Sequence, residues 1–363
     1  MTRNTPATEG FYMPAEWERQ DGIWLQWPHS TESVGYHMKL EHIWLDLSYT
    51  LHQHENVFII VTDQKLKEHV EHLFKIFQFD QTKISLDVIP TDDVWTRDNG
   101  PIFVVNDNGQ LAITDWNFNG WGDRFRYQKD QQVPAQLAKI LNIPLFTAPI
   151  IAEGGAIEVN GKGSMVATLS SIVNDNRNPG KSQIEIEEVF SQYLGITNFI
   201  WLTGASGEEC EQMGDGTDYH VDIAARFVNA STIVYAWTDD RSDAHYPYLV
   251  RHYEELKKAR TETGKPFELI PLPLPLKGVH ATWEKSCVGF ESKITDASYC
   301  NYLVTNKLVL VPVYGNVNDE QAKEILGELF PERKVIGIPA LSVTEEGGAM
   351  HCISQQQPAI KTT

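Results

Sequence analysis

Residues 57–62 read VFIIVT, residues 63–77 read DQKLKEHVEHLFKIF and residues 84–90 read ISLDVIP. The first stretch is a short apolar run rich in β-branched side chains, the mark of a buried strand. Asp63 stands where a helix cap belongs. Leu66, Val70, Leu73, Phe74 and Phe77 then recur at helical spacing on one face. The third stretch reads as a second strand, and a polar loop follows it, TDDVWTRDNGP at 91–101.

The same order returns along the chain. A second unit starts at 111–118 (LAITDWNF), continues through a helix near 133–141 and a strand at 144–147, and ends in AEGG at 152–155. A third starts at 164–169. Its helix opens on Ser182 with Glu185 three residues later, a capping box, and Gly195 closes it. Ile186, Val189, Phe190, Tyr193 and Leu194 line its apolar face. The strand at 198–202, a Gly-rich loop and DYHVD at 218–222 follow. A fourth unit has its strand at 232–237, a helix near 243–262 and a strand at 267–271. The fifth starts at 308–313 (LVLVPV). Asn318 caps a helix bearing Ala322, Ile325, Leu326 and Leu329, Pro331 stops it, and a strand at 335–338 leads to EEGGAMHCIS at 345–354.

An α/β fold follows from this alternation. Two architectures fit it: a doubly wound sheet, or similar units stacked round an axis so that each buries its neighbour's sheet. One regularity favours the second. In four of the five units the second strand is followed by a loop with a reactive group: Asp98, Glu153, His220 and Cys352. Pseudo-symmetric units would bring those loops together.

Composition narrows the partners. Among 363 residues, 42% are hydrophobic and 22% charged, an ordinary globular balance. Lys+Arg is 30 and Asp+Glu 49, a formal net charge of −19. Such a surface repels phosphate backbones, which argues against nucleic acid, and attracts small cations; solubility alone also accounts for it. The four cysteines form no CxxC pair and are too few for a disulfide scaffold. No 18-residue apolar run and no apolar signal core occurs, so no membrane partner is expected, and the expected setting is soluble and cytoplasmic.

Cys352 follows Gly347 and Gly348, whose lack of a side chain permits close backbone approach to a ligand. A thiol is a nucleophile only as its thiolate and needs a base or a positive neighbour. The alternative is an inert buried cysteine, the reading given to Cys210, Cys287 and Cys300, the last placed in strand packing. In His220-Val221-Asp222, strand alternation puts His220 and Asp222 on one side and Val221 in the core. By the same alternation His351 points away from Cys352, so His220 is preferred as acid/base. An HxD metal pair is a weak reading, because no other His or Cys pair has ligand spacing. Asp98, with Trp95 nearby, suits a planar cation: a carboxylate accepts two parallel N–H bonds from a guanidinium, and an indole face adds cation–π attraction. An Arg97–Asp98 turn pair is the bland alternative. Glu153 before Gly154 and Gly155 is by itself a common turn. Together, three acids, an imidazole and a thiol suit attack on a guanidinium carbon: the acids fix the cation under the sulfur, and His220 protonates departing ammonia and then activates water.

Several segments carry a family likeness: MPAEWERQDGIWLQWP, VWTRDNGP, WNFNGWG, EGGAIEVNGKGSMVAT, NDNRNP, DYHVDIAARF, SYCNYLVTNKLVLVPVYGN and GGAMHCISQQQP, in order over nearly the whole chain. The sequence resembles the agmatine deiminases and bacterial-type peptidylarginine deiminases of the guanidine-modifying pentein superfamily. The resemblance implies a pentein α/β-propeller, five ββαβ units around a pseudo-fivefold axis, as one catalytic domain over 1–363. It implies Cys352 as nucleophile, His220 as general acid/base, Asp98 and Asp222 as guanidinium ligands, and Glu153 orienting His220. Trp95 lines the pocket, with Trp121 and Gly348 as further substrate-binding positions. No metal or organic cofactor is implied. The implied reaction takes agmatine, a small cationic guanidino substrate, to N-carbamoylputrescine and ammonia through a cysteine-bound amidino intermediate. Free arginine, peptidylarginine and amidinotransfer to an amine are the alternatives, and retention of the cation pocket without catalysis is a fourth.

Departures from the family pattern fall near the substrate tail. Tyr219 stands where Gly often precedes His-x-Asp, Ile223-Ala224-Ala225-Arg226-Phe227 replaces an Asn-containing run, Ala349-Met350 replaces an Asn-Ile pair, and 29–39 lacks the usual Arg and Trp. Asp21, Asp123 and Asp218 are candidates for the substrate's far end. A homodimer is the assembly that symmetry statistics alone suggest.

Overall fold

A computed structural model of the chain describes residues 5–29, 36–285 and 289–360. Each predicted strand–helix–strand passage forms part of its own small sheet. In the second unit, Ile102–Val105 pairs antiparallel with Leu111–Asp115, which crosses through helix Val133–Leu141 to pair in parallel with Leu145–Thr147. The same pattern recurs in Glu158–Val159, Ser164–Thr168 and Asn198–Leu202, in Ala225–Asn229, Thr232–Trp237 and Glu268–Pro273, and in Leu303–Val304, Leu308–Val313 and Lys334–Pro339. The first unit is the larger. Ile84–Val88, Asn56–Val61 and Gln20–Gln26 run in parallel, and Ser354–Pro358 pairs antiparallel with Gln20–Gln26. Segments more than 300 residues apart in sequence therefore share one sheet. A hairpin, Val279–Lys285 with Gly289–Thr295, follows the fourth unit.

Strand alternation explains how the units join. Leu308 and Leu310 enter a core shared with Ile23, Leu25 and Ile59 of the first unit, while Val309 and Val311 enter one shared with Val228 and Val234 of the fourth. Ile233 turns the other way, into a core with Val166 and Ile200. Met165 and Ala167 meet Ile102 and Ala112, and Ile113 meets Trp24 and Ile60. Each unit thus shares a buried core with the next, and the fifth with the first. The middle strands are apolar on both faces for this reason.

The local start and stop signals act as read. Ser182 and Glu185 form the reciprocal box before Gln183–Leu194, and Gly195 ends that helix at φ 72°, a left-handed value suited to glycine. Asp63 accepts from Leu66 N at 2.8 Å. Other readings change. Asn318 does not cap its helix: its Nδ2 donates to Leu274 O at 2.8 Å. The fourth-unit helix spans only Tyr246–Leu256, because the chain then turns to bridge Arg260 with Pro266. Phe77 leaves the apolar face and is 53% exposed. Cys300 lies in a buried turn rather than a strand, and Cys287 falls outside the described residues, as does most of the 29–39 departure. Among the described residues no helix is long and apolar enough to cross a membrane.

Candidate active site

The loops after the third strands of the sheets meet. The first contributes a buried helical turn, Thr96–Asn99, with Trp95 at its start. Within it Arg97 and Asp98 diverge instead of pairing. Arg97 N donates to Cys352 O at 3.1 Å, and its Nε donates to His351 O at 3.2 Å, so this turn braces the cysteine loop. Asp98 points the other way. Its Oδ2 accepts from Trp121 Nε1 at 2.9 Å and its Oδ1 from Gly155 N at 2.9 Å.

Trp121 adopts φ 57°, ψ 46°. A left-handed tryptophan is costly and persists only where its surroundings hold it; here the indole bond to Asp98 is one such restraint. Asp218 and Tyr219, just before His220, also have positive φ, 62° and 69°. That explains why the family's glycine at 219 is informative: the position needs a left-handed backbone, and Tyr219 meets it under restraint. Asp215 Oδ2 accepts from Tyr219 N at 2.5 Å, and Thr217 Oγ1 accepts from His220 N at 3.1 Å.

His220 and Asp222 do not lie on a strand. Val221–Ile223 is a 3-10 turn, yet both side chains reach one pocket while Val221 enters the core as read. His220 Nδ1 is 3.7 Å from Asp98 Oδ1 and its Nε2 is 3.6 Å from Glu153 Oε2, ion-pair rather than hydrogen-bond distances. Burial pushes the imidazole down, but the Asp98, Glu153 and Asp222 carboxylates outweigh it and lift His220 to about 9. Glu153 is held by Arg177, whose Nε donates to Oε1 at 2.9 Å. Burial would raise the Glu153 carboxyl, but Arg177 and His220 keep it below its ordinary range. Asp98 has no such cation beyond His220, and burial together with Asp222 and Glu153 raises it.

Cys352 also lies in a turn, before Ser354–Pro358. Its sulfur is 3.7 Å from Asp222 Oδ2 and accepts from Asn301 Nδ2 at 3.1 Å. Asn301 comes from the connection after the fourth unit, so all five units supply the site. The same amide donates to Asp222 Oδ2 at 3.1 Å, and its Oδ1 accepts from His351 N at 3.1 Å. Burial, then the Asp222 and Asp98 charges, pushes the Cys352 thiol well above its ordinary value. His351 turns away from the sulfur, as expected, though the turn and not strand alternation is the cause. Its Nδ1 faces Asp222 Oδ2 at 2.7 Å. That contact outweighs burial and keeps Asp222 ionised below the usual carboxylate range.

Two glycines sit where these groups crowd together. A methyl on Gly155 would stand 2.6 Å from His220 Nδ1, 2.8 Å from Asp98 Oδ1 and 3.1 Å from Asp222 Oδ2. One on Gly348 would stand 2.5 Å from Trp95 Cζ3 and 3.1 Å from Cys352 Sγ. Among these groups both ring nitrogens of His220, Glu153 Oε2 and Asp222 Oδ1 are buried without a hydrogen-bond partner among the described residues. The arrangement gathers carboxylate oxygens, an imidazole and a sulfur, a set whose charge suits a cationic guest.

The far-end candidates fare differently. Asp218 is spent on Arg177 Nη1 at 2.5 Å and Arg124 Nη2 at 2.7 Å. Asp21 belongs to the first sheet and accepts from Gln357 Nε2 at 3.1 Å. Asp123 is exposed, two residues from Trp121. Glu16, Glu158 and His351 present ligand-type atoms within 4.8 Å of one another, but the Arg226 guanidinium donates to both carboxylates. Asn301, Arg177 and Gly155 escaped the sequence reading. Asn301 sat in the quoted SYCNYL segment and Arg177 in NDNRNP, but nothing local ties either to a partner 24 to 79 residues away.

The sequence model of the Porphyromonas-type peptidyl-arginine deiminase family matches residues 12–358. A Yersinia pestis protein named "Putative agmatine deiminase" is 31% identical over 372 residues, covering 98% of this chain and 97% of that one. The structure titled agmatine deiminase of Enterococcus faecalis catalyzing its reaction superposes with a TM-score of 0.88 at 28% identity, over 99% of each chain. A cysteine-to-serine variant of C. jejuni agmatine deiminase with substrate bound gives 0.82 at 28% identity, over 97% of each chain.

Proposed function

The chain belongs to the Porphyromonas-type peptidyl-arginine deiminase family, and from that premise we propose that it is an agmatine deiminase, hydrolysing agmatine to N-carbamoylputrescine and ammonia. The observation that carries this reading is the convergence of His220, Asp98 and Asp222 beside Gly155, with buried polar atoms among them that have no partner among the described residues. Its carboxylates suit a guanidinium, and full-length relatives are named for agmatine.

The steps follow from the residues. Asp98 and Asp222 accept the guanidinium N–H groups, and the Trp95 face covers the plane. The bound cation lowers the cost of a negative sulfur, so substrate binding helps Cys352 to release its proton to solvent. The thiolate attacks the central carbon. His220, protonated at neutral pH with a value of about 9, gives its proton to the departing nitrogen and ammonia leaves. His220 then takes a proton from water, which attacks the amidino carbon; the C–S bond breaks, the added hydroxyl gives up its proton as the C=O forms, the departing sulfur is reprotonated to the thiol, and the ureido product leaves. Glu153 orients His220, Trp121 steadies Asp98, and Gly348 leaves room beside the sulfur.

In this reading the five units stand round a pseudo-fivefold axis as one catalytic domain, supported by the shared cores and by the meeting of loops from every unit. The partner is a small cation, the setting cytoplasmic and the assembly a homodimer. The test is ammonia release from agmatine, free arginine, a peptidylarginine and simple guanidines, with a second arm adding an amine acceptor. Agmatine should have the highest kcat/KM. A higher value for arginine or peptidylarginine overturns the substrate, and a new guanidine in the amine arm overturns hydrolysis.

A further inference from the structure

His351 is next to the proposed nucleophile but takes no part in the steps above. It is fully buried, and both ring nitrogens are engaged by carboxylates: Nδ1 lies 2.7 Å from Asp222 Oδ2 and Nε2 lies 2.9 Å from Glu16 Oε2. Each ring nitrogen thus faces an oxygen of a carboxylate. Glu16 is itself fixed, since its Oε2 accepts from Arg226 Nη2 at 2.5 Å and its Oε1 from Val304 N at 2.7 Å. Arg226 in turn grips Glu158, Cys300 O and Tyr302 O. The His351 backbone is tied as well: its N donates to Asn301 Oδ1 and its O accepts from Arg97 Nε.

A rigid, buried post therefore runs from Arg226 through Glu16 to His351 and ends on one oxygen of Asp222. Asn301 Nδ2 meets that same oxygen at 3.1 Å. The other oxygen, Oδ1, is buried and unpartnered. Two donors on Oδ2 set the carboxylate's rotation and leave Oδ1 turned to the guest.

We propose that His351 is a positioning residue for substrate recognition: through Nδ1 it holds Asp222 so that Oδ1 meets the guanidinium, and its bond to Glu16 serves only to hold the ring. This rests on the proposed guanidine chemistry of the site, and the test separates the two. His351→Asn places an amide N–H near the position of Nδ1 and keeps the Asp222 contact. His351→Gln reaches the position of Nε2 and keeps the Glu16 contact instead. Both are polar and of similar bulk, so a purely structural role predicts equal effects at matched thermal midpoints.

The expected result is that His351→Gln loses about 10²-fold in kcat/KM, chiefly through KM, while His351→Asn stays within about tenfold of the parent, since a carboxylate misplaced by 1 Å costs about that much. The same ranking should hold without turnover, for guanidinium chloride titrated by NMR into each variant in a Cys352→Ser background. Equal affinities for guanidinium in the two variants, or tighter binding by His351→Gln, overturn the assignment. A parent that binds guanidinium but releases no ammonia from agmatine overturns the proposed function while leaving this ranking to be read.

Discussion

The Cys352 sulfur and Oδ2 of Asp222 stand 3.7 Å apart, both buried. Two unit charges about 4 Å apart at an effective dielectric of about 20 repel by about 4 kcal/mol. That repulsion, added to the cost of burying a charge, opposes a thiolate beside the Asp222 carboxylate. The ligand-free site therefore stores a neutral thiol, and reactivity arrives with the guest.

The pH dependence of alkylation checks this directly. Burial and the Asp222 and Asp98 charges push the Cys352 thiol well above 9.0, so its modification by iodoacetamide should be slow at neutral pH and still rise beyond pH 9. Mass spectrometry of the peptide carrying Cys352 distinguishes it from Cys210 and Cys300. A rate that levels off below pH 8 contradicts a stored neutral thiol.

Replacing the proposed nucleophile separates binding from chemistry. Cys352→Ser should lose turnover by more than about 10³-fold while still binding agmatine, because Asp98, Asp222 and Trp95 remain. Calorimetric titration beside an ammonia assay reads both. Retained turnover would falsify the assignment of the thiol.

His220 links the site to stability. Its value is raised from 6.5 to about 9 on folding, chiefly by Asp98, Glu153 and Asp222 against the cost of burial. A group that binds its proton more tightly when folded contributes stability that is complete below the unfolded value and is lost as pH rises through the folded one. The contribution should therefore fade between pH 6.5 and 9. His220→Gln should lack that slope, so the gap in thermal midpoint between parent and variant should narrow over this window. A constant gap would count against a charged His220.

Gly155 does not need a left-handed backbone, so His220 and Asp98 rather than φ oppose a side chain there. Gly155→Ala should place a methyl in the guanidinium's space and lower kcat/KM by about 10²-fold or more. A crystal structure of the variant should show the methyl against His220 and Asp98. Unchanged KM would show that the guest sits elsewhere.

Trp121→Phe removes the N–H that donates to Asp98 Oδ2 at 2.9 Å while keeping an aromatic ring. Leaving that buried oxygen unpaired costs about 1–3 kcal/mol, to be read as a raised KM for agmatine. An unaltered KM would mean that the indole merely packs.

The sequence was most informative where one stretch carries its own signal. Leu308–Val313 is buried along both faces, and Ser182 with Glu185 is a local cap, so runs and caps marked the units. Cys352, His220, Asp98 and Glu153 stood out because reactive side chains recur after successive strands. Local reading failed where geometry depends on distant partners. His220–Asp222 looked like a strand by alternation, but Asp215 and Thr217 bend the preceding loop into a left-handed approach and Val221–Ile223 makes a turn. Asn301 could not be assigned because an asparagine acquires meaning only when Cys352 and Asp222 arrive beside it.

The strand Ser354–Pro358 zips onto Gln20–Gln26 two residues after Cys352. A ribosome making this chain from its amino end therefore delivers Asp98, Glu153, His220 and Asp222 before Cys352. Docking of that strand on Gln20–Gln26 is therefore what anchors the sulfur's loop against acids and an imidazole made earlier, so a fault in this one pairing would reach the thiol before it reached the carboxylates.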